Sequence, residues 1–329
     1  MKEDSVFSER ILKAFASVYI SITDKCNLHC RHCSERDGTV LPDAYEEDVL
    51  NWIDQIAYSK CAKNISFVGG EPFLCIEKLR NYIACASKKG LMTTVITNGY
   101  WATTQENAES IIKSIPGLSC ITVSSDRYHL EFIDKEIINN LVKACLKLKV
   151  MININITAAS KEEGNEVKKI YEQFLKSNVQ IIVSPMFYWG AATKLVIEKF
   201  KYLHTIGELR SYCEIRNHHI DSLGRVYACC GATLGNETNF LLLGNLKEES
   251  YDSIIKKRNC NPLFRFLDKS GPRGLAQLIY NSTYYDEFKD LEFTQDCELC
   301  RKLLNDKKMY QYLLEHKSCN DICLLYTSD

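Results

Sequence analysis

The chain has 329 residues, 46% hydrophobic and 25% charged, enough for one large core with a smaller appended unit and ordinary for a globular protein. Lysine and arginine number 41 against 42 aspartates and glutamates, so no net basic field draws the chain to nucleic acid or an anionic membrane. No apolar run reaches membrane-spanning length and residues 1–17 lack an apolar signal segment, so a cytoplasmic protein with neither a nucleic-acid nor a membrane partner is expected. Sixteen cysteines in such a setting point to metal and redox chemistry, because reducing compartments keep thiols free.

Short β-rich runs at 18–23, 64–68, 92–97, 120–124, 151–157 and 179–184 alternate with amphipathic helical patterns at 46–59, 76–89, 105–114, 133–149 and 161–177. This alternation predicts a parallel sheet with right-handed crossovers, hence an α/β fold, an open barrel of six βα units. In such an architecture the loops at the C-terminal strand ends converge on one mouth. Cys26, Cys30 and Cys33 follow the first run, Gly69-Gly-Glu-Pro72 the second, Thr97-Asn-Gly-Tyr-Trp101 the third and Ser124-Ser-Asp-Arg-Tyr-His129 the fourth. On the fifth, Ile152, Ile154 and Ile156 alternate with Asn153, Asn155 and Thr157, which predicts one polar row on a single face. From about Tyr212 the pattern changes to cysteine, glycine and short elements. The expected organisation is an N-terminal extension at 1–17, a barrel at 18–211, a small cysteine-rich module at 212–304 and a C-terminal helix and tail at 305–329. Residues 323–329 resemble a translated sequencing adaptor and are expected not to be native.

Three thiolates spaced CxxxCxxC can hold three irons of a [4Fe–4S] cluster and leave the fourth without a protein ligand, open to a small chelator. The other reading is part of a zinc site. Zinc prefers closed tetrahedral sets, which this loop does not supply by itself, although His29 and His32 lie beside it.

The cysteine loop followed one strand later by Gly69-Gly-Glu-Pro72 resembles the radical S-adenosylmethionine (SAM) superfamily. That resemblance implies a partial (β/α)6 TIM-like barrel, with the SAM amino and carboxylate groups on the open iron and reduction of the cluster cleaving SAM to a 5′-deoxyadenosyl radical. It makes Gly69 and Gly70 the close backbone approach to SAM and Glu71 the acceptor of the SAM ammonium. By the same resemblance Asn98, Ser125, Asp126 and Asn155 match polar SAM contacts, and His32 stands where an aromatic lies near the adenine. Turn chemistry is the alternative for Asn98-Gly99 and Ser125-Asp126, and a structural histidine for His32.

Further along, Cys213, Gly224 and Cys229 are similar to the opening of the SPASM or twitch extension of that superfamily, and Cys297-Glu-Leu-Cys300 adds a pair. The four cysteines complete the ligand set of one auxiliary [4Fe–4S] cluster, although four thiolates also suit a structural zinc. A full SPASM domain has a cysteine where Asp306 stands, so a shortened, twitch-like module is expected. Across residues 18–304 the motif order resembles the radical SAM peptide epimerases, which mature ribosomally made peptides by removing a Cα hydrogen and returning one from a thiol. The resemblance makes Cys230 the hydrogen donor, a precursor peptide the substrate and a flavodoxin- or ferredoxin-like protein the external one-electron reductant. A buried apolar cysteine is the alternative for Cys230. Two further readings stand beside this one. The first is a twitch-type dehydrogenase or thioether-forming maturase, acting on a peptide or small molecule with the auxiliary cluster as electron acceptor; the second is a non-catalytic metal-binding protein. Iron analysis after anaerobic reconstitution is expected to give about eight irons per chain, against about four for a single cluster.

Overall fold

The computed structural model describes residues 16–34, 40–195, 204–208, 217–229 and 241–316. The first two-thirds runs β1 Ala16–Thr23, α1 Glu46–Ser59, β2 Ala62–Gly69, α2 Ile76–Lys88, β3 Met92–Thr97, α3 Gln105–Lys113, β4 Cys120–Ser124, α4 Lys135–Leu148, β5 Met151–Ala158, α5 Lys161–Ile170 and β6 Val179–Pro185. Each strand pairs in parallel with the next, in sequence order. Sequential order with helical crossovers of one hand places every helix on the same face, which curls the sheet into an open barrel.

One face of the strands is apolar and fully covered: Val18, Ile20, Ile65, Phe67, Ile121 and Val123 are all buried under the helices. Ile152, Ile154 and Ile156 join them, while Asn153, Asn155 and Thr157 turn the other way, as their alternation predicts. The inner face is polar and satisfies itself. Asn64 Nδ2 donates to Ser66 Oγ at 3.0 Å, Thr94 Oγ1 donates to Asn64 Oδ1 at 3.1 Å, and Asn153 Nδ2 donates to Thr122 Oγ1 at 3.3 Å. Such bonding is what allows polar side chains to fill a barrel floor.

Helix starts follow their capping residues: Thr104, Asp134 and Ser160 each accept a backbone N–H from the first turn. The helix expected over 161–177 stops instead at Ile170. Tyr171 leaves helical geometry, is fully buried, and pairs its hydroxyl with that of Ser125, so a tertiary contact ends what local propensity would have continued.

The remainder comprises β7 His204–Thr205, β8 His218–Ile220, β9 Arg225–Tyr227, β10 Leu242–Asn245, α6 Tyr251–Cys260, α7 Pro262–Tyr280, α8 Tyr285–Phe288, β11 Glu292–Phe293, α9 Asp296–Asn305 and α10 Lys307–His316. β7 and β11 pair in a small ribbon. The β8 strand pairs in parallel with β1, and β9 and β10 follow antiparallel, extending the sheet to nine strands in the order β10-β9-β8-β1-β2-β3-β4-β5-β6. Ile220, Val226, Tyr251 and Ile254 accordingly pack into the barrel's apolar cluster. A second cluster gathers Cys229, Leu241 and the helices from Leu263 to Leu313. The composition change near Tyr212 therefore precedes the point where packing divides. Among the described residues no helix is long and apolar enough to cross a membrane.

Gly224 occupies the β8–β9 turn at φ +85°, and a Cβ there would lie 3.0 Å from Trp52 Cζ2 on α1. Turn geometry and helix packing both demand glycine. Gly224→Ala is expected to cost about 1–2 kcal/mol of unfolding free energy, read by denaturant unfolding of the metal-free chain.

Candidate active site

The cysteine loop is clamped to the barrel mouth by backbone. Gly70 N donates to Thr23 O at 2.7 Å and Glu71 N to Lys25 O at 2.8 Å, continuing the β1–β2 pairing into the loop. A Cβ on Gly69 would lie 2.0 Å from Thr23 O, and one on Gly70 would lie 2.1 Å from Lys25 O. Only glycine fits at either position, quite apart from any ligand. At the far end Ala191 N donates to Cys33 O at 2.9 Å, and a Cβ on Gly190 (φ +61°) would meet the same oxygen at 2.6 Å. The loop is thus fixed at both ends by main-chain contacts.

Above the polar floor opens a cavity of about 330 Å³, lined by Cys26, Cys30 and Cys33 with Gly69, Gly70 and Asn98. Three cysteines on one short loop, all lining one cavity, fit the ligand set of a cluster that keeps an open iron.

Glu71 is fully buried and is not among the residues that line this cavity. Its Oε1 accepts from Phe73 N at 3.0 Å and Thr97 Oγ1 at 2.8 Å, and its Oε2 accepts from Asn98 N at 2.7 Å. The carboxylate expected to meet a ligand ammonium here ties the end of β2 to the end of β3. Burial pushes its pKa up from 4.5 to about 7, against the opposing pull of these three donors. Asn98 does line the cavity, and its Nδ2 donates to Asn27 Oδ1 at 2.9 Å, bracing the cysteine loop.

At the end of β4, Ser124 rather than Ser125 lines the cavity, because alternation along the chain turns Ser125 outward to the Tyr171 hydroxyl. Asn155, in register with Ser124 on β5, shares the lining as expected. Asp126 is 1% exposed and also stands behind the wall rather than in it. Its Oδ1 accepts from the backbone of Tyr128 at 3.0 Å and His129 at 3.1 Å; its Oδ2 pairs with His129 Nδ1 at 2.9 Å and His32 Nε2 at 3.1 Å. Burial opposes ionisation of Asp126, but the charge and hydrogen bonds of His129 and His32 prevail and hold the carboxyl well below the usual range. Burial likewise opposes charge on His129, yet Asp126 lifts it to about 10.

His32 and His129 both line the cavity. With Asp126 they offer metal-ligand atoms within 4.8 Å of one another, and in the structure the carboxylate of Asp126 joins the two rings by hydrogen bonds. From the opposite side β8 contributes His219, whose Nε2 is 2.8 Å from Ser21 Oγ and whose ring stacks on Tyr227. Burial pushes its pKa down to about 4, so the ring is neutral at pH 7. His219 carries no motif, and only the β1–β8 pairing brings it to the cavity.

In the second cysteine set, Cys229 after β9 and Cys300 on α9 are both buried in the second apolar cluster, with Cys297 one turn before Cys300 and half-buried. Cys213 and Cys230 lie outside the described residues.

Residues 20–174 match the Radical SAM superfamily, and the chain carries a domain of that superfamily. YydG of Bacillus subtilis (strain 168), named for peptide biosynthesis, is 25% identical over 307 residues, covering 90% of this chain and 94% of YydG. An S-adenosylmethionine-dependent nucleotide dehydratase of Flammeovirga pacifica is 30% identical over 116 residues, 33% of this chain and 38% of that protein. Among solved structures, anSMEcpe with bound AdoMet and Cp18Cys peptide superposes with a TM-score of 0.56 at 14% identity, covering 94% of this chain and 99% of that one, which shows a shared fold.

Glu71→Ala would strand three buried donors and is expected to lower stability by about 3 kcal/mol. Between pH 4.5 and about 7 the folded chain retains a proton that the unfolded chain has released, so stability of the parent falls as pH rises through that window. Denaturant unfolding of the metal-free chain across this range checks both statements, since the variant lacks the Glu71 contribution to the slope.

Proposed function

We propose that this chain is a radical SAM enzyme of peptide maturation, with Cys26, Cys30 and Cys33 holding the cluster that binds SAM and Cys213, Cys229, Cys297 and Cys300 holding one auxiliary [4Fe–4S] cluster. The observation that carries the peptide reading is the likeness to YydG over 90% of this chain and 94% of that protein's length. Cys26, Cys30 and Cys33 would hold that cluster, which when bound would supply the electron for reductive cleavage of SAM to a hydrogen-abstracting 5′-deoxyadenosyl radical.

The chain's own residues supply the setting for that chemistry. The glycine seam fixes the loop that bears the three thiols, and Gly69, Gly70, Asn98 and Asn155 give SAM a polar wall of main chain and amides. Glu71 and Asp126 act from behind that wall, the first by positioning Asn98 and the second by positioning His32 and His129. Phe187 and Tyr19 add apolar surface that limits water around a reactive carbon centre.

The reaction we assign is Cα epimerisation, from L to D. One hydrogen atom leaves Cα, and the Cys230 S–H returns one from the opposite face. The resulting thiyl takes up one electron and one proton from a flavodoxin- or ferredoxin-like reductant, and one SAM is consumed per turnover. Incubated in D2O with its precursor peptide, the reconstituted enzyme is expected to place one deuterium on each inverted residue, read by mass spectrometry and chiral amino-acid analysis. Cys230→Ala is expected to yield no epimer. A product lighter by two hydrogens would replace epimerisation with dehydrogenation or thioether formation, and clean epimer from Cys230→Ala would remove the donor role.

A further inference from the structure

Resting on the ligand role of Cys30 given above, we propose that Asp126 is a positioning residue that aims His129 at Cys30 as a hydrogen-bond donor, and that this donor raises the reduction potential of the cluster on the three-cysteine loop. Every acceptor direction of the Asp126 carboxylate is taken: two by backbone N–H groups of the turn after β4, and two by the rings of His129 and His32. At 1% exposure no water competes for those positions. With Nδ1 of His129 engaged by Asp126 at 2.9 Å, its Nε2 is the ring nitrogen left to reach Cys30, which lines the same cavity.

Rotation of the ring is blocked from the side. His32 packs edge-on against His129 with centroids 5.1 Å apart, and His32 is itself stacked on Tyr128 at 4.6 Å. Because His32 lies in the chain between Cys30 and Cys33, the same carboxylate also holds the ligand loop directly. A buried charge held only for packing would be replaceable by apolar side chains of similar volume. One that orients a donor toward a cluster sulfur has an electrical consequence: the donor stabilises the more negative, reduced state.

The test uses the full-length chain, reconstituted anaerobically and titrated electrochemically with detection by electron paramagnetic resonance. The relevant cluster is identified as the one whose signal changes when SAM is added. His129→Leu is expected to lower the ratio of reduced to oxidised cluster about tenfold at fixed poise, a shift of about 59 mV for a one-electron couple, at unchanged iron content. Asp126→Asn shifts it in the same direction, and His129→Gln, which keeps an N–H, recovers part of it. An unchanged midpoint in a fully loaded His129→Leu overturns the proposal. If that variant does not load, the parent chain carrying isotopically labelled histidine decides: a weak nitrogen coupling on the reduced cluster supports the contact, and its absence overturns it. A parent chain with no SAM-responsive signal at all would instead overturn the cluster reading.

Discussion

The main-chain seam between Gly69–Glu71 and Thr23–Lys25 is the constraint on which the site depends. Two hydrogen bonds, at 2.7 and 2.8 Å, carry the β1–β2 ladder past the end of the strands and into the cysteine loop, at a separation where a single Cβ would collide with a carbonyl oxygen. A loop held this way inherits the rigidity of the sheet. Its three thiols therefore face the cavity because of backbone geometry, with side-chain bonds such as Asn98 to Asn27 serving as braces.

Two buried carboxylates support this arrangement and respond to burial in opposite ways. Glu71 receives only neutral donors, two backbone N–H groups and a hydroxyl, so desolvation dominates and its pKa rises. Asp126 faces two imidazoles, whose charge outweighs desolvation, and stays ionised. The first makes a dipolar tie between two strand ends; the second makes an ion pair at the cavity wall.

The C-terminal part is joined to the barrel more closely than its composition suggests. Pairing of β8 with β1 places His219 on the cavity wall, and the short connection from β9 leads to Cys229. A second link runs through Glu298, between Cys297 and Cys300: its carboxylate accepts from Tyr188 N at 2.7 Å and from Thr294 N at 2.7 Å. Tyr188 belongs to the same loop whose Ala191 N holds Cys33 O, so one segment touches both cysteine sets.

Much of the fold was legible in the residues. Alternation of β-branched runs with amphipathic stretches specifies the six parallel strands and their crossovers, because period and capping are local properties that tertiary context here reinforces. The three cysteines, the glycine pair, Asn98 and Asn155 were legible for the same reason, since they fall at strand ends that the topology must bring together. Other assignments needed the folded chain. Ser125 was indistinguishable from Ser124 until strand alternation was fixed, and the hydrogen bonds that tie Glu71 to the end of β3 and Asp126 to two histidines show only in the folded chain. His219 gained its place only from the β1–β8 pairing, which joins residues about 200 positions apart. By itself the sequence determined the order of elements and the chemistry of the thiol loop, through local periodicity and spacing. Which polar groups face the cavity and which brace it from behind was decided only by tertiary structure, because burial and ion pairing are properties of what a side chain packs against.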